Sequence, residues 1–258
     1  MSAPAMFNVP SAYDRFMGRY SVPLARVFAA ELELEPGQRA LDVGCGPGAL
    51  TQVLVELLGA AAVSAVDPSA PFVEAVRERL PGVDARVGPA ESLSFEDDAF
   101  DRAVAQLVFH FVSDGEQSAR ELRRVTRPGG RVAACVWDSG GAMTMLHVIR
   151  RAILSVDPQA AGELKPRPYS TEGALGELFR SVGLEDVTEG LLTVRAEYAD
   201  FDDVWQPFLA GVGPDSSLLL KLGSEDQAAV REEFRRLIGS PEGAFGLDAG
   251  AWYVVGRA

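Results

Sequence analysis

Hydrophobic positions along this chain change period repeatedly. The apolar run of Ala40, Leu41 and Val43 gives way to Leu50, Val53, Leu54 and Leu57, spaced three and four apart. That is a strand feeding a helix. The exchange recurs, and it predicts strands over residues 39–43, 62–66, 83–87, 100–107 and 131–137. The intervening helices run to about residue 58, carry Phe72, Val73, Val76 and Leu80, and span 114–126. Pro128-Gly129-Gly130 reads as a sharp turn into the fifth strand. Ahead of the sheet, residues 11–35 read as one or two helices. Ser21 before Pro23 suits a helix start, and Leu24, Val27 and Phe28 form an apolar face. The second half is less regular. It predicts a helix holding Met143, Leu146, Ile149, Arg150 and Ile153, a loop at 165–168, a helix over 171–182, a long strand over 184–198 and a last strand over 251–256. Between those strands Phe201, Trp205 and Phe208 share one helical face, as do Val230, Phe234, Leu237 and Ile238. The expected fold is α/β: a doubly wound, seven-stranded, mostly parallel sheet with a helical cap inserted before the last strand. The expected organisation is a single domain over 1–258. Within it lie an N-terminal helical lid at 1–35 and substrate-lining insertions at 139–170 and 199–250.

The chemistry concentrates where the first strand becomes a helix, at Leu41-Asp42-Val43-Gly44-Cys45-Gly46-Pro47-Gly48. Glycines at alternate positions allow a ligand to approach bare backbone. Gly44, Gly46 and Ala49 also satisfy a loose dinucleotide pattern, with an acid at about the right distance. Asp42 argues against that reading, because a carboxylate repels the phosphates a dinucleotide brings to such a turn. It suits a ligand with an ammonium group, and S-adenosylmethionine is one, with a cationic amino-acid tail, a sulfonium and no phosphate. Asp67 ends the second strand, where an open α/β sheet places its ligands. An acid there can accept from both ribose hydroxyls, or it can serve the next helix start. Pro68 beside it offers a flat wall for an adenine.

Composition narrows the partners. The 258 residues include 24 basic and 37 acidic side chains, a net charge of -13. That balance is wrong for wrapping nucleic acid. The basic cluster of Arg120, Arg123, Arg124, Arg127 and Arg131 reads as a solvated helix face. The two cysteines, Cys45 and Cys135, form no disulfide framework or metal spacing, which fits reduced thiols in the cytoplasm. No signal-peptide pattern and no membrane span are expected.

Two further segments follow: Ala90-Glu91-Ser92-Leu93-Ser94-Phe95-Glu96-Asp97-Asp98-Ala99-Phe100-Asp101, and Leu122-Arg123-Arg124-Val125-Thr126-Arg127-Pro128-Gly129-Gly130-Arg131. With LDVGCGPG and VDPS they stand in the order and spacing of a known family. Over residues 38–137 the chain resembles the class I S-adenosylmethionine-dependent methyltransferases, in particular the small-molecule group of the ubiquinone/menaquinone biosynthesis methyltransferases. The resemblance implies their Rossmann-like fold, S-adenosylmethionine as cofactor and methyl transfer to a small molecule. It implies that Asp42 and the backbone of Gly44, Cys45 and Gly46 hold the methionine portion, while Gly48 makes the tight turn. It further implies that Asp67 holds the ribose, that Ala90 and Glu91 flank the adenine, and that Gln106 lies near the sulfonium. Where the family often has an acid before its Ala-Glu pair, this chain has Pro89, which supplies no side-chain acceptor. Segment 13–20 resembles lids that fold over the cofactor, with Arg19 placed to meet the methionine carboxylate.

His110 follows the fourth strand and is the candidate base, with packing as its alternative role. His147, Trp137 and Trp205 are candidates to line the acceptor site. The apolar tone of the cap points to an apolar or aromatic acceptor. A non-catalytic S-adenosylmethionine-binding protein and an NAD-dependent oxidoreductase stand as alternatives, and a homodimer is left open.

Overall fold

The computed structural model describes residues 14–164, 166–211 and 214–258. Residues 1–13 of the expected lid, Lys165 of the expected loop, and Val212 and Gly213 of the expected cap lie outside it. Seven strands form one sheet: β1 (Ala40–Val43), β2 (Val63–Asp67), β3 (Asp84–Val87), β4 (Phe100–Gln106), β5 (Thr126–Trp137), β6 (Glu185–Tyr198) and β7 (Phe245–Arg257). Their spatial order is β3-β2-β1-β4-β5-β7-β6. The first five pair in parallel, and β7 runs antiparallel to both its neighbours. The order reverses between β1 and β4, where such sheets open a crevice at their carboxyl ends.

Strand periodicity divides the core. Ala40, Val63, Val104 and Ala133 face one way, toward α1 (Arg19–Ala30), α2 (Ala49–Leu58) and α5 (Thr144–Val156). Leu41, Val66, Ala103 and Val132 face the other, toward α4 (Gly115–Val125) and α6 (Ala174–Ser181). Helix α3 (Ala70–Arg79) packs Val73 and Val76 onto Ala65 and Ala85. Among the described residues no helix is long and apolar enough to cross a membrane.

Three boundaries differ from expectation. Helix α1 does not start at Ser21: a π-helical turn over Asp14–Gly18 leads into it and Pro23 lies in its interior. Proline removes the rung to the carbonyl four residues back. Second, β5 begins at Thr126, before the expected turn. Thr126 pairs with Phe100 and Arg131 with Arg102, so residues 127–130 bulge out of the ladder. Gly129 takes the left-handed conformation there, at φ 78°. Its N–H donates to the Ala258 carbonyl at 2.8 Å. Third, β7 starts at Phe245. Residues 245–250 are too polar and glycine-rich to read as a strand, but β6 templates them, pairing Tyr198 with Phe245 and Arg195 with Asp248. Tertiary pairing overrides local propensity here.

Between β6 and β7 stand α7 (Phe201–Leu209), α8 (Pro214–Lys221) and α9 (Ser224–Leu237). Trp205 is 3% exposed. Its ring lies 6.2 Å from Phe201, 6.4 Å from Phe208 and 6.1 Å from Phe234. Phe16 meets Phe208 edge-on at 5.3 Å, so the segment before α1 is tied to the same cluster. The aromatic stripe is packing core. Trp205→Ala should therefore destabilise by about 3–5 kcal/mol in urea unfolding. A loss below about 1 kcal/mol would mean that the ring borders open space.

Candidate active site

Asp42 is the third residue of β1 and 1% exposed. With Ala40 it faces α2, whose Thr51 hydroxyl donates to Asp42 Oδ2 at 2.6 Å. Oδ1 is buried with no partner. Burial raises the carboxyl to about 7, Thr51 works against that, and the nearby Asp67 adds to it. The glycine turn is pinned from the next strand: the N–H groups of Gly44 and Cys45 both donate to the Val66 carbonyl, at 2.7 and 3.1 Å. All three glycines have positive φ, but for different neighbours. A Cβ on Gly44 would collide with the Val108 side chain, and one on Gly48 would crowd Val76 at 3.2 Å. Only at Gly46 would it meet open space. Bare backbone is thus presented at Gly46, while Gly44 and Gly48 are small because the protein packs against them.

Asp67, at the end of β2, is 7% exposed. Its two oxygens accept from the Gly46 N–H at 2.9 Å and the Ser69 N–H at 2.8 Å. This joins the glycine turn to the start of α3. A carboxylate has further lone pairs for hydroxyl donors. Burial raises its pKa against those two hydrogen bonds. Pro68 is exposed beside it and Ala90 is buried. Glu91 accepts from both the N–H and the hydroxyl of Ser113 at 2.8 Å, tying its loop to the start of α4. Burial alone would raise the Glu91 pKa; the hydrogen bonds outweigh it and hold the carboxyl below its usual range.

Gln106 closes β4 on the same face as Asp42. Its Nε2 donates to the Ser21 carbonyl at 2.9 Å, so α1 lies over this end of the sheet. Its Oε1 is buried without a partner. Asp42 Oδ1 and Gln106 Oε1 thus leave two unpaired acceptors at the carboxyl ends of adjacent strands. Such acceptors are costly unless a ligand brings N–H donors or positive charge, and they do not fit a phosphate. The residues present therefore fit a cationic cofactor. Tyr20 adds to the cover: its hydroxyl lies 2.9 Å from that of Tyr198, and its ring stands edge-on to Trp137 at 6.1 Å. Arg19, expected at the methionine carboxylate, is instead held by both oxygens of Asp203, at 2.7 and 2.5 Å, and by the Glu197 carbonyl. It clamps α1 to the helices between β6 and β7.

Past Gln106 the chain turns through Leu107, a non-glycine residue at φ 63°. The turn brings His110 back to a site only 7% exposed. It hydrogen-bonds the Trp137 backbone, and burial, then Arg167 and Arg150, lower its pKa to about 3. Its Nε2 has no partner. A cavity of about 400 Å³ opens there, lined by His110, Arg150, Arg167, Asp215 and Lys221 among others. Trp137 is buried at the end of β5, while His147 is half-buried on α5 beside Gly141. Neither is in the lining of that cavity, and Trp205 is in the aromatic core. Asp138 is engaged by the Trp252 indole at 2.8 Å and the Ala142 N–H at 2.7 Å. Sequence reasoning missed Thr51, Val108, Arg167 and Asp215. Arg150 stood in the predicted helix with nothing to mark it, and the facing segments are distant in sequence.

A methyltransferase-domain family model matches residues 41–134. The trans-aconitate 2-methyltransferase of Variovorax paradoxus is 30% identical over 196 residues, 76% of this chain and 70% of that protein. The demethylmenaquinone methyltransferase of Streptomyces griseus is 29% identical over 64% of this chain and 73% of its own. Against other curated relatives, from Streptomyces fradiae and Rhizobium leguminosarum, the match spans 33% and 50% of the relative's length. Among solved structures, the YcgJ protein of a Bacillus species has a TM-score of 0.58 at 18% identity, covering 92% of this chain and 97% of its own. The fold and the carboxyl-end crevice define an α/β methyltransferase architecture. By these similarities the chain belongs to the class I S-adenosylmethionine-dependent methyltransferases.

The folded Asp42 carboxyl keeps its proton to about pH 7, against an ordinary value of 3.8. Between those values the folded state binds more protons than the unfolded chain, so stability falls as pH rises. Urea unfolding of the ligand-free protein should show wild type losing ground to Asp42→Asn from about pH 4 to pH 7. A difference that stays constant across that window would contradict the assignment.

Proposed function

We propose that this chain moves a methyl group from S-adenosylmethionine to a small-molecule acceptor by in-line displacement. The observation that carries this reading is the pair of buried, unpartnered acceptors, Asp42 Oδ1 and Gln106 Oε1, beside a glycine turn open only at Gly46. Bound there, the cofactor supplies a methyl group already activated by positive sulfur. Asp42 and Gln106 hold the cationic methionine end, Gly46 admits it to the backbone, and Asp67 takes the ribose hydroxyls. Pro68, Ala90 and the Glu91 loop flank the adenine, with backbone and apolar contacts standing in for the side-chain acceptor that Pro89 lacks.

The protein's main contribution is positioning, which can lower a barrier by roughly 7–11 kcal/mol. Tyr20, Trp137 and Gln106 exclude water beneath α1. His110 stays neutral and presents a lone pair, so it orients a hydroxyl or amine more readily than it stores a proton. The relatives' names, for trans-aconitate and demethylmenaquinone, support a small-molecule acceptor. Segments 1–35, 139–170 and 199–250 act as lid and acceptor walls. Two buried free cysteines suit a cytoplasmic, reducing setting.

Asp67→Ala removes hydrogen bonds from a charged group to the ribose, on the order of 1.5–3 kcal/mol. Calorimetry should show S-adenosylmethionine binding weakened by one to two powers of ten. Unchanged affinity would place the ribose elsewhere.

A further inference from the structure

The cavity beside His110 has a charge pattern at odds with an apolar or aromatic acceptor. Three cations and two carboxylates are in its lining. Arg150 Nε pairs with Asp215 Oδ1 at 2.9 Å, and Lys221 pairs with Glu163 at 2.7 Å. Arg167 is the cation left over. It is half-buried and its guanidinium lies over the Phe111 ring at 5.1 Å; Asp215 attracts it from the same lining, but among the described residues no carboxylate reaches it at ion-pair distance. A partly desolvated guanidinium in a chain of net charge -13 stands out. Its planar fork matches a carboxylate bidentately.

Two acceptors in the same lining are also unsatisfied. His110 is 7% exposed with Nε2 unpartnered, and Asp215 is 3% exposed with Oδ2 unpartnered. A simple anion would satisfy Arg167 and leave both of these unpaired, with Asp215 repelling it. A neutral aromatic would satisfy none of the three. The molecule that satisfies them brings a carboxylate at one end and a hydrogen-bond donor at the other. Arg150 holds the Asp215 charge in check and fixes its free oxygen in place. The cavity of about 400 Å³ suits a small metabolite.

We propose that the acceptor is a small hydroxy- or amino-carboxylic acid, its carboxylate on Arg167 and its O–H or N–H donor facing His110 Nε2 and Asp215 Oδ2. This rests on the methyltransferase reading above and names the substrate class of that site. His110 follows β4 and Arg150 lies on α5, so in this proposal the donor group is held beyond the end of β4 that carries Gln106.

The test uses the full chain saturated with S-adenosylhomocysteine and titrated calorimetrically with matched probes. These are lactate, lactamide and propionate; citrate and tricarballylate; 4-hydroxybenzoate, 4-hydroxybenzamide and benzoate; alanine and alaninamide. At least one acid bearing a donor should bind, with its amide and its donor-free analogue at least tenfold weaker. Arg167→Gln should weaken that acid at least tenfold and Arg167→Lys by less, both keeping wild-type affinity for S-adenosylhomocysteine. That retained affinity shows that the variants fold; if Arg167→Gln loses it, Arg167→Lys decides the matter alone. The inference is overturned if an amide binds as well as its acid, if Arg167 variants bind the acid like wild type, or if no acid binds while S-adenosylhomocysteine does. Failure of S-adenosylhomocysteine itself to bind would sink the methyltransferase reading, and this inference with it.

Discussion

One buried carboxylate sets the terms for the rest of this molecule. Asp42 lies inside the sheet with hydrogen bonding from Thr51 alone and a second oxygen that meets nothing. An isolated ionised acid in such a place is costly, so it either keeps a proton or receives a cation. Everything around it serves the second outcome. The glycine turn is tied back to Val66 and Asp67, which leaves Gly46 open. Gln106 adds another unpaired acceptor, and α1 with Tyr20 closes the top. A pyrophosphate would meet the carboxyls of Asp42 and Asp67 and the acceptor oxygen of Gln106. The electrostatics, more than the glycine pattern, separates this site from a dinucleotide fold.

The second centre is chemically the reverse. Around His110 the protein collects guanidinium groups from α5 and the segment before α6, and it keeps one buried carboxylate, Asp215, paired with Arg150. The Arg19–Asp203 clamp and the Phe16–Phe208 contact join the cover over the first centre to α7, the neighbour of the α8 helix that lines the second.

Much of this was legible in the sequence. Seven strands, their parallel order through β5 and the helices between them follow from alternating hydrophobic periods, which tertiary contacts reinforce. The misreadings have local causes. Pro23 and Pro128-Gly129-Gly130 carry breaker signals, but a π-turn and a bulge absorb them. Residues 245–250 have no strand pattern, and β6 supplies one. At the site, Asp42 and Asp67 stand out because acids at the carboxyl ends of apolar strands have few structural uses, whereas Gln106 comes only from the family resemblance. Gly44 and Gly48, which the pattern offers to a ligand as bare backbone, are small for packing, since Val108 and Val76 occupy the space their side chains would need. Arg167 and Asp215 carried no signal, because each is an ordinary residue until folding brings the other near. Arg19 was read toward a ligand and is committed to Asp203, a partner 184 positions away.

The central claim is that Asp42 receives a cation. If it does, ligand binding should expel the proton that burial keeps on that carboxyl. Calorimetric titration of S-adenosylmethionine at pH 7, in buffers of differing ionisation enthalpy, measures this directly. The account predicts release of roughly half a proton per molecule bound by wild type, and none attributable to this group in Asp42→Asn. Binding with no difference in proton release between wild type and variant would contradict it.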